Sequence, residues 1–250
     1  MNFFATPEFV STASSVFTCF EIPINLFGAY CILFKTPNSM KSVKWAILNL
    51  HLWSSLMDFS WSVLTRFTVL LPAFSGTTNG LLLKLGVDPI VQLYFIICLY
   101  AIVSVSIVAV YENRYFILFS QNTYWKSCRW PFLAINISLV VIFFIPLLYE
   151  NPSSEVAIQY FQKEFPEIPF TLYQKGLFAV KFDRSFVQCS LFFYGILLIA
   201  EVFVFSFSLY RNLKKCSSGV KVSSRTYEMQ KKFLIAVVLQ VHSVQNTRLI

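Results

Sequence analysis

Charge is scarce in this chain: Asp, Glu, Lys and Arg together make up 13% of 250 residues. Ordinary soluble domains carry nearly twice that share. A compact soluble enzyme is excluded on this ground, and so is a disordered chain, which needs polar or charged excess. Histidine is scarcer still, with two residues. The six cysteines, at 19, 31, 98, 128, 189 and 216, form no CxxC pair and no zinc spacing. Glycine occurs seven times, with no glycine-rich phosphate loop after a strand. No Ser/His/Asp or Cys/His set comes together in the sequence. No enzyme, metal or cofactor chemistry is therefore expected. Met1 to Val10 contains no Lys or Arg, so the basic start of a cleaved signal peptide is absent.

What fills the chain is apolar. Hydrophobic residues reach 56%, Phe alone occurs 28 times, and the mean hydropathy is +0.63. These values indicate an integral membrane protein in a lipid bilayer. A helix needs about 20 residues to cross hydrocarbon roughly 30 Å thick. Five segments qualify as full spans: 10–34, 43–65, 89–111, 130–149 and 186–210. A sixth apolar run, 233–244, opens at Phe233 and meets His242 before the residue count is sufficient, so it is expected to be partial. The reading is an all-α membrane helix bundle in one domain.

The net charge of +8 does not point to nucleic acid, because its placement follows membrane rules. Lys35, Lys41 and Lys44 lie in one loop region, and Arg114, Lys126 and Arg129 in segment 112–129. Segment 211–232 holds Arg211, Lys214, Lys215, Lys221, Arg225, Lys231 and Lys232. The alternate loops, 66–88 and 150–185, hold fewer basic residues and most of the loop acids. Basic residues gather in cytoplasmic loops, so the N-terminus is expected outside. The Asp88-Pro89 pair reads as a helix start, with Asp as cap and Pro in the first turn.

Ionisable groups within spans are costly, about 2.5–3.5 kcal/mol each at a helix centre on translocon scales, and so are informative. Glu21 lies two residues before Pro23, and Glu201 lies deep in the fifth span. All three are read as kink and packing residues, with a ligand contact as the alternative for Glu21 and a switch as the alternative for Glu201. His51, Ser55, Asp58 and Ser62 follow spacings of 4, 3 and 4, which place them on one helical face. That stripe is expected to face the bundle interior, with Asp58 and His51 as ligand-pocket candidates and packing as the equal alternative. Gln92 is a weaker pocket candidate. Glu112 and Arg114, flanking Asn113, are two apart and do not form a face-to-face pair on a helix. Physics alone reads them as interfacial charges reaching for water.

Several of these residues carry a resemblance. Glu21-Ile22-Pro23, Phe27-Gly28-Ala29-Tyr30-Cys31, Lys35-Thr36-Pro37 with Met40, and Asn49, His51 and Trp53 with Asp58 form the first part. Pro72, Gly76, Gly80, Gln92, Glu112-Asn113-Arg114, Ser224, Thr226, Gln230-Lys231 and Gln240 complete it. Over residues 17 to 240 the chain resembles the serpentine receptor class H chemoreceptors of nematodes, a branch of the seven-helix G-protein-coupled receptors. The resemblance implies a rhodopsin-like seven-helix bundle, a small-molecule pocket among the outer helix halves and a heterotrimeric G protein as partner. It implies the plasma membrane of a sensory cell. It also implies that Glu112, Asn113 and Arg114 serve as a switch at the end of the third helix. The alternative is a receptor fragment, truncated within its sixth helix, without signalling of its own and retained in the endoplasmic reticulum. A transporter or channel is the third class.

Overall fold

The computed structural model describes residues 7–70, 75–148, 154–164, 176–179 and 184–218. The partial sixth run at 233–244 and most of the basic segment 211–232 lie outside the described residues. The described part is mostly helical. Helix α1 spans Pro7–Phe34 with Pro23 inside it. A 3-10 turn, Asn38–Val43, leads into α2, Lys44–Phe59, which continues as a π-helical segment, Ser60–Thr65. That segment ends at Arg66, whose φ of 46° lies in the left-handed region.

Strands β1, Phe67–Leu70, and β2, Ser75–Thr78, then form a hairpin. The short α3, Leu81–Lys84, precedes α4, Pro89–Tyr115, which runs on as a π-helical turn, Phe116–Ser120. Asp88 caps α4 as its sequence implies, accepting a hydrogen bond from the Ile90 amide at 2.8 Å. Helix α5 spans Trp125–Phe143 and closes in a 3-10 turn, Ile145–Leu148. The amphipathic α6, Ser154–Glu164, strand β3, Leu177–Ala179, and α7, Arg184–Ser218, complete the described chain.

Four of these helical runs are long and apolar enough to cross a membrane: Thr12–Phe34, Pro89–Ser120, Trp125–Phe143 and Phe192–Asn212. Helix α2 is not one of the four. It carries Lys44, Asn49, His51 and Asp58, which dilute its apolar character.

The helix α4 is the centre of the bundle, packing against α2, α5 and α7. Its Val105, Val108 and Tyr111 meet Leu198 and Phe205 of α7 in the main core cluster. On another side Met57 of α2 packs with Ile96 and Leu99. Asn49 donates to the Ser106 hydroxyl at 3.2 Å and accepts from the Trp53 indole at 3.1 Å, adding a polar tie to that apolar contact. In contrast, α1 and α7 turn rows of Phe, Ile and Leu outward, including Phe17, Phe20, Phe27, Phe192, Phe193 and Phe203. Outward phenylalanines suit hydrocarbon, where no penalty attaches to apolar exposure.

The sequence reading did not contain a sheet. β2 is central, with β1 and β3 antiparallel on either side. Phe178 of β3 pairs with Gly76 and lies 4.8 Å, centre to centre, from Phe67. A Cβ on Gly76 would stand 2.5 Å from the Phe178 ring, so only glycine admits this packing. Strands of three and four residues, built partly from Ser, Gly and Thr, carry too little alternation to be seen in sequence.

A second glycine sets the contact between α1 and α2. A Cβ on Gly28 would lie 2.7 Å from His51 Cε1. Gly28→Ala should therefore lower thermal stability in detergent, by about 1–3 kcal/mol as an overpacking change. Adding His51→Ala to that variant should recover part of the loss. Equal melting of Gly28→Ala and wild type would refute the close approach.

Candidate functional site

Among the described residues, three clusters of polar groups stand out in the spans. The first lies between α1 and α2. His51 Nε2 donates to the Asn25 carbonyl of α1 at 2.8 Å, and Glu21 stands beside Asp58 and Ser62. His51, Asp58 and Ser62 of the stripe thus lie on the α1 side of α2. The reason is geometric. Asn49, Trp53 and Met57, on the other side of α2, have taken the α4 contact. Ser62 is buried, His51 and Ser55 are half-buried, and Asp58 is exposed. Pro23 sits within α1 just past Glu21, and removes the donor that the Cys19 carbonyl would otherwise have. Glu21 Oε1 and Ser55 Oγ are buried without hydrogen-bond partners.

The second cluster joins α5 and α7. Glu201 lies beside Asn136 and Tyr194. The Tyr194 hydroxyl donates to the Asn136 carbonyl at 3.4 Å, and Glu201 Oε2 is buried without a partner. Asn136 donates from its side-chain amide to the Phe132 carbonyl at 3.2 Å. Its burial to 3% exposure makes it a packing residue between these helices. Gln92 stands apart near the start of α4. It is wholly buried, its amide donates to the Val87 carbonyl at 2.8 Å, and its Oε1 has no partner.

The third cluster is the most complete. It sits where the sequence reading expected a loop, 112–129. Helix α4 instead continues past Arg114, and α5 already begins at Trp125. Glu112 and Arg114 are therefore buried, at 0% and 4% exposure, and do not reach for water. The carboxylate of Glu112 is held from α5. The Trp125 indole donates to Oε1 at 2.8 Å, and Arg129 Nη2 donates to Oε2 at 2.9 Å. Arg129 also donates to Asn113 Oδ1 at 3.1 Å and lies 4.2 Å from the centre of the Phe116 ring. Around this group the rings of Trp125, Phe132 and Phe205 pack at 5.5–5.8 Å, the Phe132–Phe205 pair edge to face and the two Trp125 pairs tilted.

Two residues apart on α4, Glu112 and Arg114 point in different directions. Glu112 is bound to α5, whereas Arg114, two residues on, lies on another face of α4. The sequence reading missed Trp125 and Arg129 as the carboxylate's partners. A signal was present: they are four apart and so share one face of α5. What it lacked was knowledge that α5 begins at 125.

Removing Arg129 leaves a wholly buried carboxylate short of its charge partner, a change that costs about 3–5 kcal/mol in buried pairs. Arg129→Ala should thus lower the melting temperature of the purified chain sharply. Glu112→Gln combined with Arg129→Ala should be much less harmful than the sum of the single changes. Additive losses in that cycle would show that the two side chains do not interact.

A family model described as serpentine type 7TM GPCR chemoreceptor Srh matches residues 5–245. A curated relative, serpentine receptor class H-72 of Caenorhabditis elegans, is 26% identical over 113 residues. That stretch is 45% of this chain and 33% of the relative, so the alignment spans about a third of that protein's length. No solved structure matches the chain. The match over nearly all of the sequence is to a receptor family and not an enzyme family, and it agrees with the apolar helical bundle and its multi-pass character. The chain belongs to the serpentine class H family of seven-helix chemoreceptors.

Proposed function

We propose that this protein is a chemosensory receptor that detects an external small molecule and signals to a heterotrimeric G protein. The observation that carries the reading is the Glu112 junction. A wholly buried carboxylate, held by two donors from a neighbouring helix, stands at the end of the central helix of the bundle. Buried ion pairs of this type are poor stabilisers but serve as bistable contacts, because either helix can move only by breaking them. Arg114, buried on another face of the same turn, is the coupling residue in this scheme, with Asn113 steadying Arg129 between them.

The topology of the proposal follows the charge. The N-terminus is outside, α2 is a further crossing beside the four apolar ones, and the end bearing Lys35, Lys41, Lys44, Lys126, Arg211 and Lys214 is cytoplasmic. The protein then resides in the plasma membrane of a sensory cell. The Glu112 junction faces the G protein from that side. On the opposite side a ligand pocket is proposed, with Asp58 and the separate Gln92 as candidate contacts. Two features support it. Asp58 is exposed beside Glu21, and the unpartnered Gln92 Oε1 is a buried acceptor that a ligand hydroxyl or amine can satisfy. His51, bonded to the Asn25 carbonyl, fixes α2 against α1 on the same side as Asp58.

Expression with a promiscuous G protein and a panel of small volatile and water-soluble compounds tests the reading. A compound-dependent second-messenger rise is expected. Asp58→Leu should leave surface level unchanged, since it removes a charge from a helix, and should abolish or shift the response by tenfold or more. Ion current or uptake without G protein would refute a receptor role. Labelling from outside intact cells of a tag placed within 211–218 would overturn the topology.

A further inference from the structure

The end of α4 has a feature that the Glu112 pair alone does not explain. After Tyr115 the helix neither stops nor stays α-helical, but widens into the π-helical turn Phe116–Ser120. Such turns are rare and concentrate at functional sites. Residues held in less favoured backbone geometry persist where their surroundings over-determine them. Here the surroundings are specific. Arg129 grips both sides of the change in winding. It binds Glu112 and Asn113 in the last α-helical turn, at 2.9 and 3.1 Å, and stacks over Phe116, the first π-helical residue. At the far end Ser120 is 2% exposed, and its carbonyl accepts from the Thr123 hydroxyl at 2.8 Å. Tyr115, at the junction itself, packs on Phe119 at 6.3 Å and on Phe205 of α7 at 6.1 Å.

We infer that Phe116–Ser120 is a register switch, and that Arg129 is the positioning residue that holds it in the wide winding. When Arg129 leaves Glu112 and the Phe116 ring, the turn rewinds to the α-helical register. One residue's worth of winding is then released, which turns the following chain by about 100° and moves it by about 1.5 Å along the axis. The connection 121–124 therefore swings as a unit, carrying Gln121 and Tyr124 to a new position on that end of the bundle. The inference deepens the proposed receptor reading, on which it relies for its purpose. The rewinding itself needs neither ligand nor G protein.

The experiment is a spin-label distance measurement on the full chain in nanodiscs. Labels are carried on unnatural amino acids at positions 121 and 210, both exposed, so that the native cysteines remain. The unaltered chain should give one narrow distance. Arg129→Gln and Glu112→Gln should each add a second discrete distance, displaced by about 7 Å as a side chain on a helix of this diameter turns. Phe116→Leu, which keeps the ion pair and is gentler on folding, should add a smaller share of the same population. Deleting Ile117 removes the extra residue and should give the second distance alone. A single unchanged distance in the three substituted chains would overturn the inference. So would featureless broadening, which marks local unfolding, or a deletion variant whose distance differs from the second population. None of these outcomes depends on whether a compound triggers signalling.

Discussion

A single carboxylate organises the bundle. Glu112 is wholly enclosed, and a charge in that setting is tolerable only if its oxygens are met by donors. Both donors come from the start of α5, which forces α5 to begin early and to lie against the end of α4. Phe205 of α7 then closes over Trp125 and Phe132, so the third partner of α4 is placed by the same group. The apolar core along Val105, Val108 and Leu198 continues this contact toward the other end of the helices. The hydrocarbon-facing rows of Phe need no partner and impose no geometry, so the polar junction supplies the specificity that apolar packing in lipid lacks.

Helix α2 shows the same division on a smaller scale. One face presents Asn49, Trp53 and Met57 to α4, and the other presents His51 and Asp58 to α1. With polar side chains on both of these faces, α2 falls outside the four helical runs apolar enough to cross a membrane. Gly28 lets the His51 ring approach α1 closely, so a polar tie and a small-residue contact coincide at one level.

Much of this was legible beforehand. The apolar lengths located α1, α4, α5 and α7, and Asp88-Pro89 marked the start of α4. The helical spacing of His51, Ser55, Asp58 and Ser62 assigns them one face, but cannot say which neighbour that face meets. Periodicity records which residues share a direction; it is silent on what lies there. The ends of α4 and α5 were misjudged because a charged residue in a membrane sequence normally marks an interface. Glu112 and Arg129 break that habit by satisfying each other inside the protein. The sheet was invisible for a different reason: its pairing joins segments far apart in sequence, and no local pattern encodes a distant partner.

That distant pairing bears on how the protein is made. β1 and β2 form a local hairpin, but Gly76 must meet Phe178 across roughly a hundred residues of intervening chain, a separation that makes closure slow. Chain synthesis proceeds at about 5–20 residues per second, so the hairpin waits several seconds before its third strand exists. Through that interval α4 and α5 are already emerging and can dock through Glu112. Phe67 and the bare edge of β2 stay uncovered until β3 arrives. The sheet is therefore a late closure in biogenesis, and the nascent chain is most exposed to misassociation at β2 while α4 and α5 are being inserted.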